Sequence, residues 1–480
     1  MGGLNTTAPP LSVRPGELLD CMNYECLQEG GYQRIRGYES IGLVPGDGPI
    51  LGVHIYRGDC YAIRDDAGAG KLYKHDGTEW VRVGTKEWSP QGQYKFHNYN
   101  FYGQDSQEEM FIVNGIDKCV KFDGAALEDI NTGATTDNPS SVIGYKYHLV
   151  LSLESSLMGS NTGDPTTFDA ATGGAFEIAV GDTIREFKVS QGALIIGCRE
   201  STKVLYGDNT NNFQLEPFSN SGMYSFTAAN VGGQIIALDD SGVMSLQATQ
   251  AFGNFVYGSV SERVRNQVKI LQEQGSVRTT VNRSKGQYRF FSGRNGLYFS
   301  FTGQQLLGIT KIFFDHPVLC LANGDDSSGD EITLFGSDDG HVYCLDRTNF
   351  FEGEKMPSFL LLAFHTFGLP TQNKRYRQIL VDAKFDGAVS RMYVLPLTDY
   401  GAGIGTITNR FMGRRTGGGF WDVGFWDDLV WDEQSSSELK ARINVTGGNM
   451  GVVISSENES DGVHAVYGAT IHYSPRRLRR

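Results

Sequence analysis

Short apolar segments alternate with polar turns rich in glycine, aspartate and asparagine along most of the chain. The clearest pair of repeats is KLYKHDG at 71–77 and KCVKFDG at 118–124, which lie 47 residues apart. Each follows a short apolar strand and a polar turn, the pattern of a β-hairpin. Weaker copies of this unit occur at 147–158, 193–206, 235–246, 288–301 and 332–345.

The spacing of these units predicts a β-propeller. Their turn centres are about 40–54 residues apart, close to the period of about 40–50 residues that four-stranded propeller blades show. About seven such units fit between residues 45 and 352. A stack of two sandwiches would also contain hairpins, but closure into a ring removes the exposed edges of seven small sheets. A helix is predicted at 261–271, on a blade connection, with Ser261 as its N-cap.

The pattern changes after residue 353, where predicted strands are longer and lie at wider intervals. These strands are 378–385, 390–397, 438–445, 451–456 and 465–473. Their alternation predicts a β-sandwich with one solvent-facing side per sheet. The predicted fold is therefore all-β: an extended N-terminal arm and entry strand at 1–44, a propeller of about seven blades at 45–352, and a sandwich with a basic tail at 353–480.

Composition and charge narrow the function. The 61 glycines, 14 prolines and 11% aromatic residues suit many short strands joined by tight turns. A net charge of −13 disfavours a protein that reads nucleic-acid sequence through a basic face, although an acidic wall would let DNA pass without binding it. No secretion signal and no membrane span are predicted. The odd number of cysteines, seven, fits reduced thiols in a chain made in a cytoplasm.

Catalytic motifs give no positive signal. The sequence lacks HExxH, GxSxG, GxxxxGKS/T and a dinucleotide-binding fingerprint, so we predict no enzyme and no cofactor. We interpret the paired carboxylates at 239–240 and 338–339 as turn residues rather than as acid–base pairs. Cys21 and Cys26 resemble half of a zinc site, and the acidic loop at 325–331 departs from calcium-loop spacing, so no metal is predicted.

Two clusters near the C-terminus are candidate contact surfaces. Trp-Asp pairs recur every five residues at Trp421, Trp426 and Trp431. Aromatic rings of this kind pack inside a sandwich, at a subunit contact or against a sugar ring. The basic end suits an acidic neighbouring subunit, DNA phosphate or a disordered solubilising tail. Its four arginines are Arg476, Arg477, Arg479 and Arg480.

The N-terminal segment carries a further set of motifs: GGLNTTAPP at 2–10, RPGE at 14–17 and GYQRIRGYE at 31–39. The last contains a G-x-x-R-x-x-G-Y strand. Together with NTGDPTTF at 161–168 and the C-terminal β-domain, these motifs resemble the tail nozzle proteins of short-tailed bacteriophages. That group is the distal tail-tube or tail-hub group and includes the packaged-DNA stabilisation proteins. The resemblance implies an extended arm that leads into a propeller.

The resemblance also implies a structural virion protein, made in the bacterial host cytoplasm and located in the tail. Its copies would form a ring, typically a hexamer, below the portal and adaptor. The ring would continue the DNA exit channel, help to retain and then release the genome, contact tail fibres or spikes, and let viral DNA pass without sequence-specific binding. The residues predicted to contact another subunit or partner are Arg14, Pro15, Arg34, Arg36, Tyr38, Trp421, Trp426, Trp431, Arg476, Arg477, Arg479 and Arg480.

Two other interpretations stay open from the sequence. One is a carbohydrate-binding or glycan-cleaving propeller that acts in host recognition, in which the aromatic run and the turn carboxylates face a glycan. The other is a propeller that links proteins without forming a ring.

Overall fold

The computed structural model is built almost entirely from β-strands. It describes residues 2–103, 107–171, 173–248, 255–386, 390–401, 403–404, 409–413, 437–456 and 463–478. The described part contains many four-stranded antiparallel sheets and a single α-helix. The predicted all-β class, with a propeller followed by a sandwich, is confirmed.

Five strands precede the first complete blade, and they are divided among three sheets. The strands are β1 (Gly3–Leu4), β2 (Glu17–Met22), β3 (Tyr24–Cys26), β4 (Tyr32–Arg34) and β5 (Tyr38–Leu43). The first two belong to one sheet of the sandwich, the next two belong to the other, and β5 belongs to the propeller. The N-terminal segment therefore connects both halves of the molecule.

Five consecutive blades are antiparallel four-stranded sheets with the strands in chain order. Blade 1 is β6 (Ile50–Tyr56), β7 (Asp59–Asp66), β8 (Ala69–His75) and β9 (Trp80–Arg82). Blade 2 is β10 (Lys95–Tyr99), β11 (Glu109–Val113), β12 (Val120–Phe122) and β13 (Leu127–Asp129). Blade 3 is β14 (Val142–Tyr145), β15 (His148–Leu153), β16 (Ser156–Gly159) and β17 (Phe176–Ala179). Blade 4 is β18 (Ile184–Ser190), β19 (Ala193–Cys198), β20 (Thr202–Tyr206) and β21 (Gln214–Ser219). Blade 5 is β22 (Ala229–Val231), β23 (Gln234–Asp239), β24 (Gly242–Ala248) and β25 (Phe255–Ser259).

The last two blades depart from this plan, because each pairs with a strand of the N-terminal segment. Blade 6 starts with β26 (Val277–Asn282), β27 (Gln287–Thr302) and β28 (Gln305–Val318), and its sheet continues into the sandwich. Blade 7 consists of β29 (Cys320–Asp325), β30 (Glu331–Gly336) and β31 (His341–Leu345), completed by β5 from the N-terminal segment. The innermost strand β29 contacts β6 of blade 1 and so closes a ring of seven blades.

Apolar residues between neighbouring blades form the propeller core. Side chains alternate between the two faces of a strand, and both faces of a blade are covered by its neighbours. In β11, Met110 and Ile112 pack with blade 1, whereas Phe111 and Val113 pack with blade 3. This two-sided burial explains why the second strands of the blades are nearly continuous apolar runs.

The hairpin predicted at 288–301 is confirmed. Its turn, Gly293-Arg294-Asn295-Gly296, lies within the range of β27, whose two halves fold back on each other. The rings of Tyr288 and Phe299 lie 5.8 Å apart, and the backbone N–H of Phe301 donates to the carbonyl oxygen of Gly286 at 2.9 Å. Gly293 has a φ of +58°, which suits a turn glycine.

The predicted helix lies on the connection between blades 5 and 6, as expected. A short 3-10 helix at Glu262–Val264 leads into α1 at Arg265–Glu273, which buries Val268 and Leu271. Ser261, predicted as the N-cap, makes no capping hydrogen bond with its side chain. Its Oγ instead accepts a hydrogen bond from the backbone N–H of Val243, 2.9 Å away, and so fastens the connection to blade 5.

The sandwich is formed by two sheets that contain strands from both ends of the chain. Its remaining strands are β32 (Ser358–Leu362), β33 (Gln372–Asp386), β34 (Ser390–Thr398), β35 (Gly403–Ile404), β36 (Asn409–Gly413), β37 (Ser437–Gly447), β38 (Met450–Ser456) and β39 (Val463–Leu478). A 3-10 helix at Asp399–Gly401 follows β34. One sheet has the order β3-β4-β39-β33-β37, and the other runs β1-β2-β32-β38-β34, with β35 and β36 both pairing with β34. All five predicted C-terminal strands are present.

Strand β1 joins the propeller to the sandwich. It pairs in parallel with β2 on one side and with β28 of blade 6 on the other, where Gly3 lies opposite Ile309. A Cβ atom at Gly3 would overlap the backbone of Ile309, and its φ of +62° also favours glycine. Blade 6 and the sandwich sheet that contains β2 and β32 are therefore one continuous sheet.

A buried histidine of β39, packed against Tyr24 of the N-terminal segment, makes the stability of the protein depend on pH. His464 is 1% exposed, and its Nε2 lies 2.7 Å from the hydroxyl of Tyr24. Burial, helped by the nearby charge of Arg34, lowers the pKa of His464 to about 3. In an unfolded chain the pKa is about 6.5. The unfolded state therefore binds a proton between these values and the folded state does not, so stability falls as the pH drops from about 6.5 toward 3.

We expect His464→Gln to reduce this pH dependence. The free energy of unfolding of the parent should fall between pH 6 and pH 4 more steeply than that of the variant, by about 1.4 kcal/mol per pH unit. Urea unfolding at a series of pH values measures both slopes. His472→Gln, on the exposed side of β39, is the control and should leave the slope unchanged. Equal slopes for His464→Gln and the parent would contradict the assignment.

Candidate functional site

The G-x-x-R-x-x-G-Y motif lies at the junction of the propeller and the sandwich. Gly31 has a φ of +90°, and a Cβ atom there would come within 2.5 Å of the carbonyl oxygen of Val466 in β39. Arg34 is 1% exposed, and its Nη2 donates hydrogen bonds to the carbonyl oxygens of Asn349 and Met356, at 3.4 and 3.2 Å. These carbonyl groups belong to the connection between blade 7 and the sandwich, so the motif fastens that connection.

The second half of the motif fits into blade 7. A Cβ atom at Gly37 would overlap the carbonyl oxygen of Phe350. Tyr38 is fully buried, and its ring is stacked on Phe351 with centroids 4.8 Å apart. Its hydroxyl lies 2.9 Å from Nδ1 of His316. Each fixed residue of the motif therefore has a structural role within the chain.

This placement corrects part of the predicted contact set. Arg34 and Tyr38 were expected to contact another subunit or partner, but both are buried in the core of their own chain and are not accessible to one. Arginine and tyrosine are commonly found at interfaces, and here the same properties, a planar donor and a large ring, serve an internal joint.

The remaining predicted contacts that the structure describes are exposed. Arg14, Pro15 and Arg36 lie on the surface of the N-terminal segment, and Arg476 lies on the surface of β39. Pro15 is at the edge of an apolar cleft of about 880 Å³ between the two sandwich sheets. The backbone of Arg477 forms part of β39. Trp421, Trp426, Trp431, Arg479 and Arg480 lie outside the described residues.

The axis of the propeller holds a polar site that the sequence did not predict. The innermost strands of six blades and the connection that leads into blade 5 surround a cavity of about 240 Å³. Lys95 reaches across it from blade 2 to Glu186 of blade 4, with Nζ 2.8 Å from Oε2. The same Nζ donates to Oγ of Ser141 at 2.7 Å and to the carbonyl oxygen of Arg185. Burial lowers the pKa of Lys95, although Glu186 opposes this effect.

Phe226 occupies the centre of this cluster. Its backbone N–H donates to Oε2 of Glu186 at 2.8 Å. Two cations lie over its ring, with Nζ of Lys95 4.9 Å and Cζ of Arg278 4.1 Å from its centroid. Such cation–π contacts contribute about 0.5–2 kcal/mol each, more when water is excluded. Phe226 itself has a φ of +63°, an unusual value for a bulky residue, so the surrounding contacts must hold it in place.

Two histidines line the same cavity in their neutral form. Nε2 of His54 lies 2.7 Å from Oδ1 of Asn98, and burial lowers its pKa to about 4. Burial and the nearby charge of Lys188 lower the pKa of His97 to about 3. Nε2 of His97 is buried without a hydrogen-bond partner in the described structure. One sequence signal for this site exists, because the polar residues Lys95 and His97 lie in an innermost strand. The sequence alone does not show that residues of blades 2, 4 and 6 meet at the axis.

The acidic residues singled out from the sequence serve turns and ion pairs. Oδ1 of Asp239 accepts hydrogen bonds from the N–H groups of Ser241 and Gly242, at 2.7 and 2.9 Å, as an Asx turn requires. In the loop at 325–331, Asp325 and Glu331 both pair with Arg283. Cys21 and Cys26 are buried thiols.

No group of three or more His, Cys, Asp or Glu side chains among the described residues is arranged to hold a metal ion. In the same ranges, no helix is long and apolar enough to cross a membrane.

We expect Gly37→Ala to destabilise the protein by about 3 kcal/mol, because the new methyl group must displace the backbone at Phe350. Gly468→Ala is the matched control: Gly468 lies in β39, its φ is not positive, and a Cβ atom there meets nothing within 4 Å. Its effect should stay within about 0.5 kcal/mol. Urea unfolding of the two variants and the parent gives both values. Equal stability of the two variants would refute the role assigned to Gly37.

Comparisons with known proteins concern the architecture only. No family model matches the sequence, and no curated protein matches it. Among solved structures, the chain is similar to YCF48 bound to a D1 peptide, with a TM-score of 0.43 and 12% identity over 65% of this chain and 99% of that chain. It is also similar to PorZ, a surface component of the type-IX secretion system of Porphyromonas gingivalis, with a TM-score of 0.43 and 12% identity over 84% of this chain. This chain spans 60% of the length of PorZ.

Proposed function

We propose that this chain is a structural virion protein of a short-tailed phage tail. Its copies form a ring, a hexamer by the resemblance, that continues the DNA exit channel below the portal and adaptor and helps to retain and then release the genome. The observation that carries the proposal is the N-terminal segment at 2–39. Its motifs resemble those of tail nozzle proteins, and its fixed residues Gly31, Arg34, Gly37 and Tyr38 are those that join the propeller to the sandwich.

The joint between the two domains supports a role as a rigid wall. A channel wall has to keep its shape while DNA moves past it. Here the propeller and the sandwich share one sheet through β1, and Arg34 and Tyr38 fasten the second connection between them. A subunit with two such fastenings has no single hinge about which its domains could swing.

The distribution of charge supports a channel that does not bind DNA. Residues 45–352 contain 37 Asp and Glu against 24 Lys and Arg, so the propeller carries the whole net charge of −13. A surface of this sign repels phosphate, and DNA would pass it without sequence-specific binding. The axial cavity of about 240 Å³ is too small for a DNA duplex. The conduit of this proposal therefore lies between subunits, not along the axis of one propeller.

The exposed basic residues suit a head-to-tail ring contact. Closed rings use a different surface on each side of the subunit. Arg14, Arg36 and Arg476 are exposed outside the acidic propeller, and we assign them to the acidic propeller of the adjacent copy. The adaptor, the portal-side tail proteins and the tail fibres or spikes are the further partners of the proposal.

Electron microscopy of the purified chain with the adaptor ring tests the proposal. We expect closed rings with an axial hole at micromolar concentration, and a mass by light scattering that is a multiple of the 52.8 kDa chain. Ring formation should weaken as salt is raised from about 0.15 to 1 M, because the contact joins opposite charges. A species that stays monomeric with the adaptor present would refute the proposal.

Paired charge reversals test the contact itself. Arg14→Glu with Arg36→Glu should lower the ring fraction at least tenfold, while the variant subunit keeps the unfolding midpoint of the parent. Arg199→Glu with Lys269→Glu makes the same change in net charge, at side chains that are 56% and 74% exposed on the propeller and α1. Rings should persist in this control. An equal loss in both double variants would show a general effect of charge and not a contact through the N-terminal segment.

A further inference from the structure

The axial cavity concentrates positive charge inside an acidic domain. Three cations line it, Lys95, Lys188 and Arg278, against the single carboxylate of Glu186. That carboxylate is already engaged by Nζ of Lys95 and the N–H of Phe226. The site therefore has more positive charge than its own residues neutralise, which is unfavourable where burial weakens hydration.

Two of the lining groups lack a partner. Nζ of Lys188 makes no hydrogen bond or ion pair with any other residue in the described ranges, although its charge acts on both Lys95 and His97. Nε2 of His97 is buried and unpaired. A buried polar atom such as Nε2 of His97 nearly always has a partner, and leaving it without one costs about 1–3 kcal/mol. An anion that reaches both groups would pair this nitrogen and offset the charge of Lys188.

Arg278 supplies a third, fixed set of donors. Its Nε and Nη1 donate to the carbonyl oxygens of Leu319 and Val277, at 2.8 and 2.9 Å, and its guanidinium group lies over the ring of Phe226. These contacts hold the group rigidly and use two of its five N–H donors. A guanidinium group fixed in this way is suited to planar or tetrahedral oxyanions.

We propose that the axial cavity of the propeller binds a small oxyanion, a phosphate or a carboxylate, through Lys188, His97 and Arg278. The anion accepts hydrogen bonds from Nζ of Lys188, from His97 Nε2–H and from the free donors of Arg278. The cavity volume of about 240 Å³ suits a ligand of a few heavy atoms, since drug-sized ligands occupy about 300–1,000 Å³. The site is internal to one subunit, so the proposal does not depend on ring formation.

Calorimetry and thermal unfolding of the full chain test the site. Inorganic phosphate, acetate and chloride are compared at equal ionic strength and at pH 7.5. Phosphate or acetate should bind with measurable heat and raise the unfolding temperature with concentration, as a ligand of the folded state does. A response to phosphate alone identifies a phosphate site, and a response to acetate identifies a carboxylate site. Equal effects of all three anions, or no effect, would overturn the proposal.

The variant Lys188→Ala separates binding from folding. Lys188 has no internal partner to lose, and its removal relieves repulsion with Lys95, so without added anion the variant should unfold at or above the temperature of the parent. Its affinity for the anion should be about tenfold lower, the equivalent of one lost charged hydrogen bond. The control Lys269→Ala, on the exposed face of α1, should keep the parent affinity. Parent-like binding by Lys188→Ala, or an equal loss in both variants, would refute the site.

Discussion

The insertion of β1 between β2 and β28 is the interaction on which the rest of the structure depends. Two residues, Gly3 and Leu4, pair with strands of the sandwich and of blade 6 at the same time. Only glycine fits where Gly3 approaches Ile309. Neighbouring contacts secure the same segment: the N–H of Thr6 donates to the carbonyl oxygen of Arg263, and Arg263 pairs with Glu17 at 3.1 Å. This insertion makes blade 6 and one sheet of the sandwich a single sheet.

The sequence predicted the structure correctly where its pattern repeats. It did not predict the contacts in which the two ends of the chain pair or distant blades meet. Regular turn spacing predicted the propeller and its number of blades, and alternation predicted the sandwich strands. The glycines at 293 and 296 marked the turn of the hairpin within β27 correctly, since Gly293 has a positive φ. Arg34 was predicted to contact a subunit or partner, but it is buried and donates to the carbonyl groups of Asn349 and Met356, more than 300 residues away, which the sequence does not bring near it. The axial cluster was missed because Lys95, Glu186 and Arg278 come from three separate blades and Phe226 from the connection before blade 5.

Charge is distributed in opposite ways on the outside and at the axis of the propeller. The domain as a whole is strongly acidic, while its axis collects cations around one carboxylate. Glu186 bridges Lys95 and the backbone of Phe226, and Phe226 in turn lies against Arg278. One chain of contacts therefore connects blades 2, 4 and 6 through the residue that precedes blade 5. The cluster holds the innermost strands together at the centre of the ring, and the apolar layers hold neighbouring blades together.

The completion of blade 7 by β5 has a consequence for how the protein is made. On the ribosome the N-terminal strands emerge first, yet β5 must wait for β31, and β4 must wait for β39, which ends at Leu478. Blades 1 to 5 can form from consecutive hairpins as they emerge, but the ring cannot close until its seventh blade has been translated. Pairings over such long sequence distances are slow to form, and the waiting strands expose unpaired edges in the meantime. Newly made chains are therefore most prone to misassembly after blades 1 to 6 have emerged and before β31 and β39 are available to pair with β5 and β4.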